Sequence, residues 1–145
     1  MHKVAEAVSA NVTIPLLHIA DATAAQLHNK SIKNVGLLGT KFTMEQHFYK
    51  GRLTDKHGIN VIVPNQADQD LVHHVIYNEL CRGTINPTSK QQYLAIIERL
   101  HQQGAEAVIL GCTEIALLVG QQDTSIPLFD TTAIHAQAAV ECAIS

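Results

Sequence analysis

Short apolar runs rich in β-branched residues alternate along the chain with longer segments in which apolar positions recur at the period of a helix. The pattern predicts strands at Ile14–Ile19, Asn34–Thr40, Ile59–Pro64, Ala107–Gly111 and Pro127–Asp130. It predicts helices at Asp21–Lys30, Thr43–Arg52, Gln66–Cys81, Ser89–Gln103 and Thr113–Val119, and a final helix from Thr131 to the end. Strands that alternate with helices indicate an α/β fold, in which a parallel sheet is flanked by helices.

Both ends of the chain carry apolar helical faces. Met1–Asn11 places Val4, Ala5 and Val8 on one side of a helix, with no capping residue ahead of it. The final helix is more apolar than a lone terminal helix in water. We expect self-association to cover these faces, through exchange of terminal helices or through a dimer interface, so the predicted state is a homo-oligomer.

Composition narrows the possible partners. The chain has 145 residues, of which 46% are hydrophobic and 16% charged, and its formal net charge is −3. Such values are typical of a globular domain that folds without crosslinks. The ten Lys and Arg residues are scattered, so no basic surface for nucleic acid is predicted. No apolar run is long enough to cross a bilayer and Met1–Ala10 lacks the order of a secretory signal, which predicts a cytoplasmic protein without a membrane partner.

The cysteines and histidines are not spaced like a metal site or a disulfide framework. Three cysteines are widely separated, and the nine histidines form no HExxH motif. We therefore expect reduced thiols and no bound metal. Cys81 and Cys142 fall inside helical patterns and are predicted to be buried fillers, whereas the adjacent His73 and His74 are predicted to lie on the surface.

The stretch Ala107–Val119 is the most informative part of the sequence, because a predicted buried strand runs into Gly-Cys-Thr-Glu and then a helix. Cys112 therefore lies at a predicted helix N-terminus, where unpaired amides and the helix dipole would stabilise a thiolate and bring its pKa nearer neutrality. The same amides, with Thr113, could bind a substrate carboxylate. A cysteine at the end of a buried strand can also be a small apolar filler, and the spacing alone does not decide between the two.

A second strand–helix junction has the same form, since Val35–Thr40 is followed directly by a predicted helix start. Gly39 permits a tight turn there. The hydroxyls of Thr40 and Thr43 then lie at the predicted carboxyl edge of the sheet, where α/β proteins bind ligands. The alternative is a strand terminator followed by an ordinary helix N-cap.

Five segments of the chain resemble the aspartate/glutamate racemase family. They are IPLLHIADAT at Ile14–Thr23, VGLLGTKFTMEQHFYKGRL at Val35–Leu53, IYNELCRG at Ile76–Gly83, ILGCTEIALLV at Ile109–Val119 and PLFDTTAIHA at Pro127–Ala136. The resemblance implies a two-domain, pseudo-symmetric α/β enzyme that acts on a small acidic amino acid without pyridoxal phosphate or any other cofactor. In that family one cysteine thiolate removes the α-proton and a facing thiol returns one to the opposite side.

The resemblance also implies roles for single residues. Cys112 matches the second-domain thiol of the pair. Thr40 and Thr113 match the family's carboxylate-binding threonines, and Thr43 adds a neighbouring hydroxyl. Arg82 falls where a basic residue pairs with the acidic side chain of the substrate, although a cation at this position can equally be a solvated cap of its own helix.

The sequence departs from the family at its beginning. The family's first catalytic thiol lies in a Cys-Asn-Thr motif ahead of a helix that begins near Met-His-Lys, and this chain starts at those three residues. We therefore expect a truncated racemase, with residues 1–20 as a remnant of the first domain and residues 21–125 as a complete second domain. Residues 126–145 would be a strand and a helix that pack on the first domain. With one thiol of the pair, racemisation is expected to be slight or missing.

Two other functions are compatible with the residues. The chain could be a non-catalytic remnant of the fold that binds carboxylates or self-associates, which the missing motif favours. It could also be a Cys–His hydrolase that uses Cys112 and His135, although the sequence has no nucleophile elbow and no third triad member.

Glu114, in the first predicted turn after the thiol, suits the helix dipole and could also orient a catalytic group.

Overall fold

The computed structural model describes residues 4–145 and contains four parallel strands in the order β2-β1-β3-β4. The strands are β1 (Asn34–Leu38), β2 (Asn60–Ile62), β3 (Ala107–Leu110) and β4 (Leu128–Asp130). Each lies within one of the predicted strands. The α/β fold and these four strand predictions are therefore confirmed.

Helices lie on both faces of this sheet. The α-helices are α1 (Ala5–Asn11), α2 (Ile19–Asn29), α3 (Lys41–Glu45), α4 (His47–Gly51), α5 (Gln66–Asn78), α6 (Pro87–Gln102), α7 (Ile115–Leu118) and α8 (Thr131–Ile144). A π-helix spans Arg52–Lys56, and 3-10 helices span Leu80–Arg82 and Gln121–Asp123.

The hydrophobic core is divided by the sheet, because alternate strand residues point to opposite faces. Val108 and Leu110 of β3 pack with α5, α6 and α7 on one face. Ala107 and Ile109 of the same strand pack with α2 and the π-helix on the other. This double burial explains why β3 reads as a continuous apolar run.

The predicted strand at Ile14–Ile19 is wrong. Residues 12–18 have no regular structure, and α2 begins at Ile19 with His18 as its N-cap. His18 Nδ1 accepts a hydrogen bond from the amide of Ala20 at 3.1 Å, so the end of this segment caps a helix. Pro15 lacks the N–H that a paired strand requires.

The predicted helix at Thr43–Arg52 is divided into several short pieces. Gln46 adopts an extended conformation (φ −77°, ψ 147°) between α3 and α4, and the chain then continues into the π-helix. The π-helix brings Arg52 onto Asp21 of α2, where two nitrogen–oxygen contacts measure 2.7 and 2.8 Å. This ion pair joins α2 to the segment that follows β1.

The two ends of the chain expose apolar side chains, as the sequence predicted. Val4 is 48% exposed and Ile144 is 80% exposed, and Thr131 is the buried residue of α8. β4 pairs with β3 and α8 packs against α2, so both belong to the same layered structure as the other elements. Self-association and the proposed division into domains stay predictions. Met1–Lys3 of the predicted first helix lie outside the described residues.

In residues 4–145, no helix combines the length and the apolarity needed to cross a bilayer. No group of three or more His, Cys, Asp or Glu side chains in the same residues is placed to hold a metal ion.

Candidate functional site

The topology of the sheet puts a switch point at the carboxyl ends of β1 and β3, and the region between the loops there is called the crevice. The two strands are parallel neighbours, with Leu38 opposite Leu110. The chain leaves β1 toward β2 on one side of the sheet and leaves β3 toward β4 on the other. Loops that depart in opposite directions leave an opening between them, and α/β proteins bind ligands at such a switch point.

Two glycines allow the loops after these strands to come close together. The amide of Gly111 donates to the carbonyl of Leu38 at 2.7 Å, and a Cβ at Gly111 would lie 2.9 Å from that carbonyl oxygen. A Cβ at Gly39 would lie 3.1 Å from the side chain of Thr43. The segment after β1 therefore packs directly against the segment that leads to Cys112.

The threonines after β1 form a compact hydroxyl pair. Thr40 is the N-cap of α3, and its Oγ1 accepts the amide of Thr43 at 3.3 Å. The two hydroxyl oxygens lie 3.2 Å apart, and both residues are half-buried. The capping interpretation of this junction is therefore correct, and it leaves both hydroxyls at the crevice that the ligand interpretation requires.

Cys112 does not lie at a helix N-terminus, so that prediction is wrong. Helix α7 begins at Ile115 with Glu114 as its N-cap, and it is a single turn. Cys112 lies in the preceding turn, half-buried, and its Sγ donates to Glu114 Oε2 at 2.8 Å. The helix is too short and starts too late to stabilise a thiolate.

The pKa of Cys112 moves in the direction opposite to the one that the sequence predicted. Burial, and after it the hydrogen-bonded carboxylate of Glu114, together raise the pKa of the Cys112 thiol to about 12, although the amide of Glu114 opposes them. The pKa of Glu114 is lowered, chiefly because its carboxylate accepts from the Cys112 thiol and also from its own amide. The two directions agree: the proton lies on sulfur and the charge on the carboxylate.

The two remaining predicted site residues, Thr113 and Arg82, are both exposed. Thr113 is exposed, and its hydroxyl also lowers the pKa of Glu114. Arg82 is exposed in the 3-10 helix that packs against α7, and Gly83 ends that helix in the left-handed conformation (φ 75°). The structure therefore brings Thr40, Thr43 and the Cys112–Glu114 pair to one edge of the sheet, with Thr113 exposed next to the pair and Arg82 on the 3-10 helix that contacts α7.

His135 is directed elsewhere. Its Nε2 donates to the carbonyl of Leu17 at 3.0 Å, and it lines an apolar cavity of about 180 Å³ together with residues of α1. That imidazole nitrogen is therefore not directed at Cys112. The arrangement gives no support to the Cys–His hydrolase interpretation.

Open space lies at the same edge of the sheet as the thiol-bearing turn. A cavity of about 250 Å³ lies at the carboxyl ends of β3 and β4 and includes Leu110, Ala116 and Asp130 in its lining. Cys112 itself is only partly buried. The sulfur is therefore not sealed inside packed side chains.

Three side chains behave differently from their sequence predictions. Cys81 and Cys142 are exposed free thiols and not buried fillers. His74 is exposed as predicted, but His73 is half-buried and its Nδ1 accepts the amide of Lys41 at 3.2 Å. The two partners are 32 positions apart, so no local sequence pattern could have revealed this contact.

Two of the similar proteins have known structures and share this fold, and a third is similar in sequence. A crystal structure of a candidate Asp/Glu racemase from Yersinia pestis is 55% identical and has a TM-score of 0.97, over the whole of this chain and 63% of that chain. An aspartate racemase homologue from Pyrococcus horikoshii is 34% identical with a TM-score of 0.91, over 99% of this chain and 63% of that chain. The broad specificity amino-acid racemase RacX of Bacillus subtilis is 25% identical over 142 residues, or 59% of its own length. The chain thus spans less than two thirds of the length of these three proteins.

The family model for Asp/Glu/hydantoin racemases matches residues 1–139 of the chain. This match extends over all four strands and includes both loops of the crevice. The resemblance that the sequence motifs indicated is thereby confirmed, and the chain belongs to the Asp/Glu/hydantoin racemase family.

Proposed function

We propose that this chain carries one side of a cofactor-independent racemase site for aspartate or glutamate, with Cys112 as its acid–base group. The observation that carries the proposal is the Cys112–Glu114 pair, with its sulfur–oxygen distance of 2.8 Å, beside the hydroxyls of Thr40 and Thr43 at the switch point of the sheet. The family membership and the names of the similar proteins, which include a broad specificity amino-acid racemase, support this class of reaction.

The hydroxyl pair fits one end of the substrate. A carboxylate bound by Thr40 and Thr43 would place the adjacent α-carbon near the turn that carries Cys112. Removal of the α-proton leaves negative charge that spreads into this carboxylate, so fixed donors stabilise the intermediate more than the starting acid. Thr113, at the rim, supplies a third hydroxyl in the same region.

The protonation state of the Cys112–Glu114 pair determines which proton transfers Cys112 can make. Because its thiol is protonated and hydrogen-bonded to Glu114, the sulfur is ready to donate a proton to a carbanion, and the thiolate that forms would then lie beside a carboxylate. In the reverse direction the sulfur acts as a base only after its proton has moved to Glu114. Glu114 is therefore proposed as the group that exchanges a proton with the thiol.

Arg82 is proposed to select acidic side chains. Its exposed guanidinium is carried by the 3-10 helix that packs against α7, one helix away from the thiol-bearing turn. A cation there can pair with the second carboxylate of aspartate or glutamate. The small acidic amino acid is thus held at both ends.

The activity of this chain alone is proposed to be impaired. Inversion needs an acid–base group on each face of the α-carbon, and among residues 4–145 the crevice presents Cys112, while Cys81 and Cys142 are exposed to solvent. A single thiol supports hydrogen exchange from one face at most. A cytoplasmic location, a homo-oligomeric state and residues 21–125 as a complete domain are further parts of the proposal.

A second function is favoured by one observation. A thiol with a pKa of about 12 is a poor base near neutrality, which suits a chain that binds carboxylates, or associates with itself through α1 and α8, without turnover. In that case the threonine pair would bind aspartate and no α-hydrogen would exchange.

Incubation in heavy water separates these functions. The protein is mixed with each enantiomer of aspartate and of glutamate, and loss of the α-hydrogen and optical rotation are followed by NMR and polarimetry. Cys112→Ser is the test variant, and Cys142→Ser, an exposed thiol on α8, is the matched control.

Each outcome has one interpretation. Exchange from one enantiomer that Cys112→Ser abolishes and Cys142→Ser preserves supports the impaired racemase. Exchange with inversion would show a complete site and contradict the impairment. Binding without exchange would establish the second function, and exchange that survives Cys112→Ser would refute the role of the thiol.

A further inference from the structure

Helix α5 is tied to the first turn of α3 by contacts on successive turns. His73 Nδ1 accepts the amide of Lys41, at 3.2 Å, and the ammonium of Lys41 pairs with Asp70 one turn earlier on α5. The ring of Tyr77, one turn later, lies 4.8 Å from the ring of His73 between centroids. Lys41 directly follows Thr40, so α5 is fastened beside the hydroxyl pair of the crevice.

The contact with Lys41 also determines the form of the imidazole. A backbone N–H can only donate, so the lone pair of His73 Nδ1 must be free to accept it. In a neutral imidazole the proton then lies on Nε2. Because His73 is half-buried and its ring is packed against Tyr77, this acceptor is held in a defined position.

The Lys41 amide is one of the donors at the start of α3 that lack an intrahelical partner, and His73 provides its acceptor. Thr40 caps that turn through the amide of Thr43, and the hydroxyl oxygens of the two threonines lie 3.2 Å apart. Without an acceptor at position 73 the amide would lose this partner, so we expect the first turn of α3 and its threonine hydroxyls to be held less firmly.

We propose that His73 is a positioning residue, which holds the Thr40–Thr43 hydroxyl pair in the orientation that binds a substrate carboxylate. The inference rests on the proposed function for its ligand, but the positioning itself is a property of the ligand-free chain. His73 acts through Lys41 and does not touch the substrate. Supporting groups of this kind hold ligand-binding side chains in productive geometry.

Two substitutions at position 73 separate positioning from packing. His73→Asn keeps an acceptor oxygen close to the place of Nδ1, whereas His73→Leu removes the acceptor and keeps apolar volume. His74→Leu is the matched control, because His74 is the exposed neighbour whose hydrogen bond is to Asn78. Affinity for L- and D-aspartate is measured by NMR titration, and the His73 tautomer is identified from ¹⁵N shifts. The amide signals of residues 40–43 are recorded in the ligand-free protein.

The expected result is a graded one. His73→Leu should weaken aspartate binding about fivefold, the effect of about one net hydrogen bond, and should shift the amide signals of residues 40–43. His73→Asn should restore both to within about twofold of the original, and His74→Leu should change neither.

Other results overturn the inference. Equal aspartate affinity in the original protein and in His73→Leu would show that the threonine pair needs no support from α5, and equal losses in both His73 variants would show a packing role. If the original protein binds no aspartate, the proposed function fails. The inference then stands or falls on the amide signals and the tautomer, and unchanged signals in His73→Leu or a proton on Nδ1 would refute it.

Discussion

Replacement of the carboxylate beside the thiol, Glu114→Gln, tests the description of the site most directly. The Glu114 carboxylate accepts from the Cys112 thiol at 2.8 Å and raises the pKa of that thiol, in addition to the larger effect of burial. A neutral amide of nearly the same shape removes the negative charge and leaves burial unchanged. The pKa of Cys112 should therefore fall, but not to the ordinary value of a free thiol.

The size of the effect follows from the charge of the acceptor. A hydrogen bond to a charged group is worth about 1.5–3 kcal/mol, so its loss lowers the pKa of Cys112 by about 1 to 2. Near pH 8 the thiolate fraction then rises about 10- to 100-fold. A less basic thiolate is also a weaker nucleophile, with a Brønsted coefficient of about 0.4–0.5, so the alkylation rate should rise about 3- to 10-fold.

The assay uses a protein in which Cys112 is the single thiol. Cys81→Ser and Cys142→Ser provide it, since both of these thiols are exposed. Iodoacetamide labelling is followed by mass spectrometry with and without Glu114→Gln. Glu98→Gln, at an exposed carboxylate of α6, is the control and should leave the rate unchanged. An unchanged or slower rate in Glu114→Gln would refute the description of the pair.

Three further changes test the fold around the site. Asp21→Asn removes the carboxylate that Arg52, Lys56 and His57 share, so urea unfolding should show a loss of about 1–2 kcal/mol near neutrality. These partners, Arg52 above all, lower the pKa of Asp21 below its ordinary 3.8. The stabilisation that the carboxylate provides is therefore present above about pH 4 and is lost as the pH falls. A stability difference between the two proteins that grows in acid would contradict this. Thr131→Val leaves the buried carbonyl of Leu110 without its 2.9 Å donor and should cost about 1–2 kcal/mol in the same assay, whereas no loss would mean that the bond is dispensable. Gly111→Ala places a methyl group 2.9 Å from the carbonyl oxygen of Leu38, so β1 and β3 must separate, at a cost of about 1–3 kcal/mol; an unaltered unfolding midpoint would argue against the close approach.

The sequence predicted the sheet well because its strands have unmistakable apolar runs. Ala107–Leu110 is buried on both faces, and no other element type suits four such residues between a helix end and a glycine turn. The segment at Ile14–Ile19 carries a similar apolar run but pairs with none of the strands β1 to β4. Whether such a run joins a sheet depends on long-range contacts, which a local pattern does not contain. There the histidine cap of α2 prevailed over strand propensity.

The sequence predicted where Thr40 and Thr43 lie relative to the strand, but it did not predict the protonation state of Cys112. The glycine and threonine signals placed Thr40 and Thr43 at the strand end, because local turn chemistry determines that geometry. The state of Cys112 depends on where α7 begins and on how deeply the sulfur is buried. Both are set by packing against residues distant in the sequence, such as those of α5 and α6, and a motif carries no information about them.

The protonated state of Cys112 determines which half of a racemisation this chain can support. With a pKa of about 12, formation of the thiolate near pH 7 is far costlier than for a free thiol. Transfer of the proton to Glu114 does not avoid this cost, because the pKa of that carboxyl is itself lowered. Donation to a carbanion carries no such penalty. Cys112 is therefore better suited to return a proton than to remove one, so hydrogen exchange that starts at this thiol should be slow.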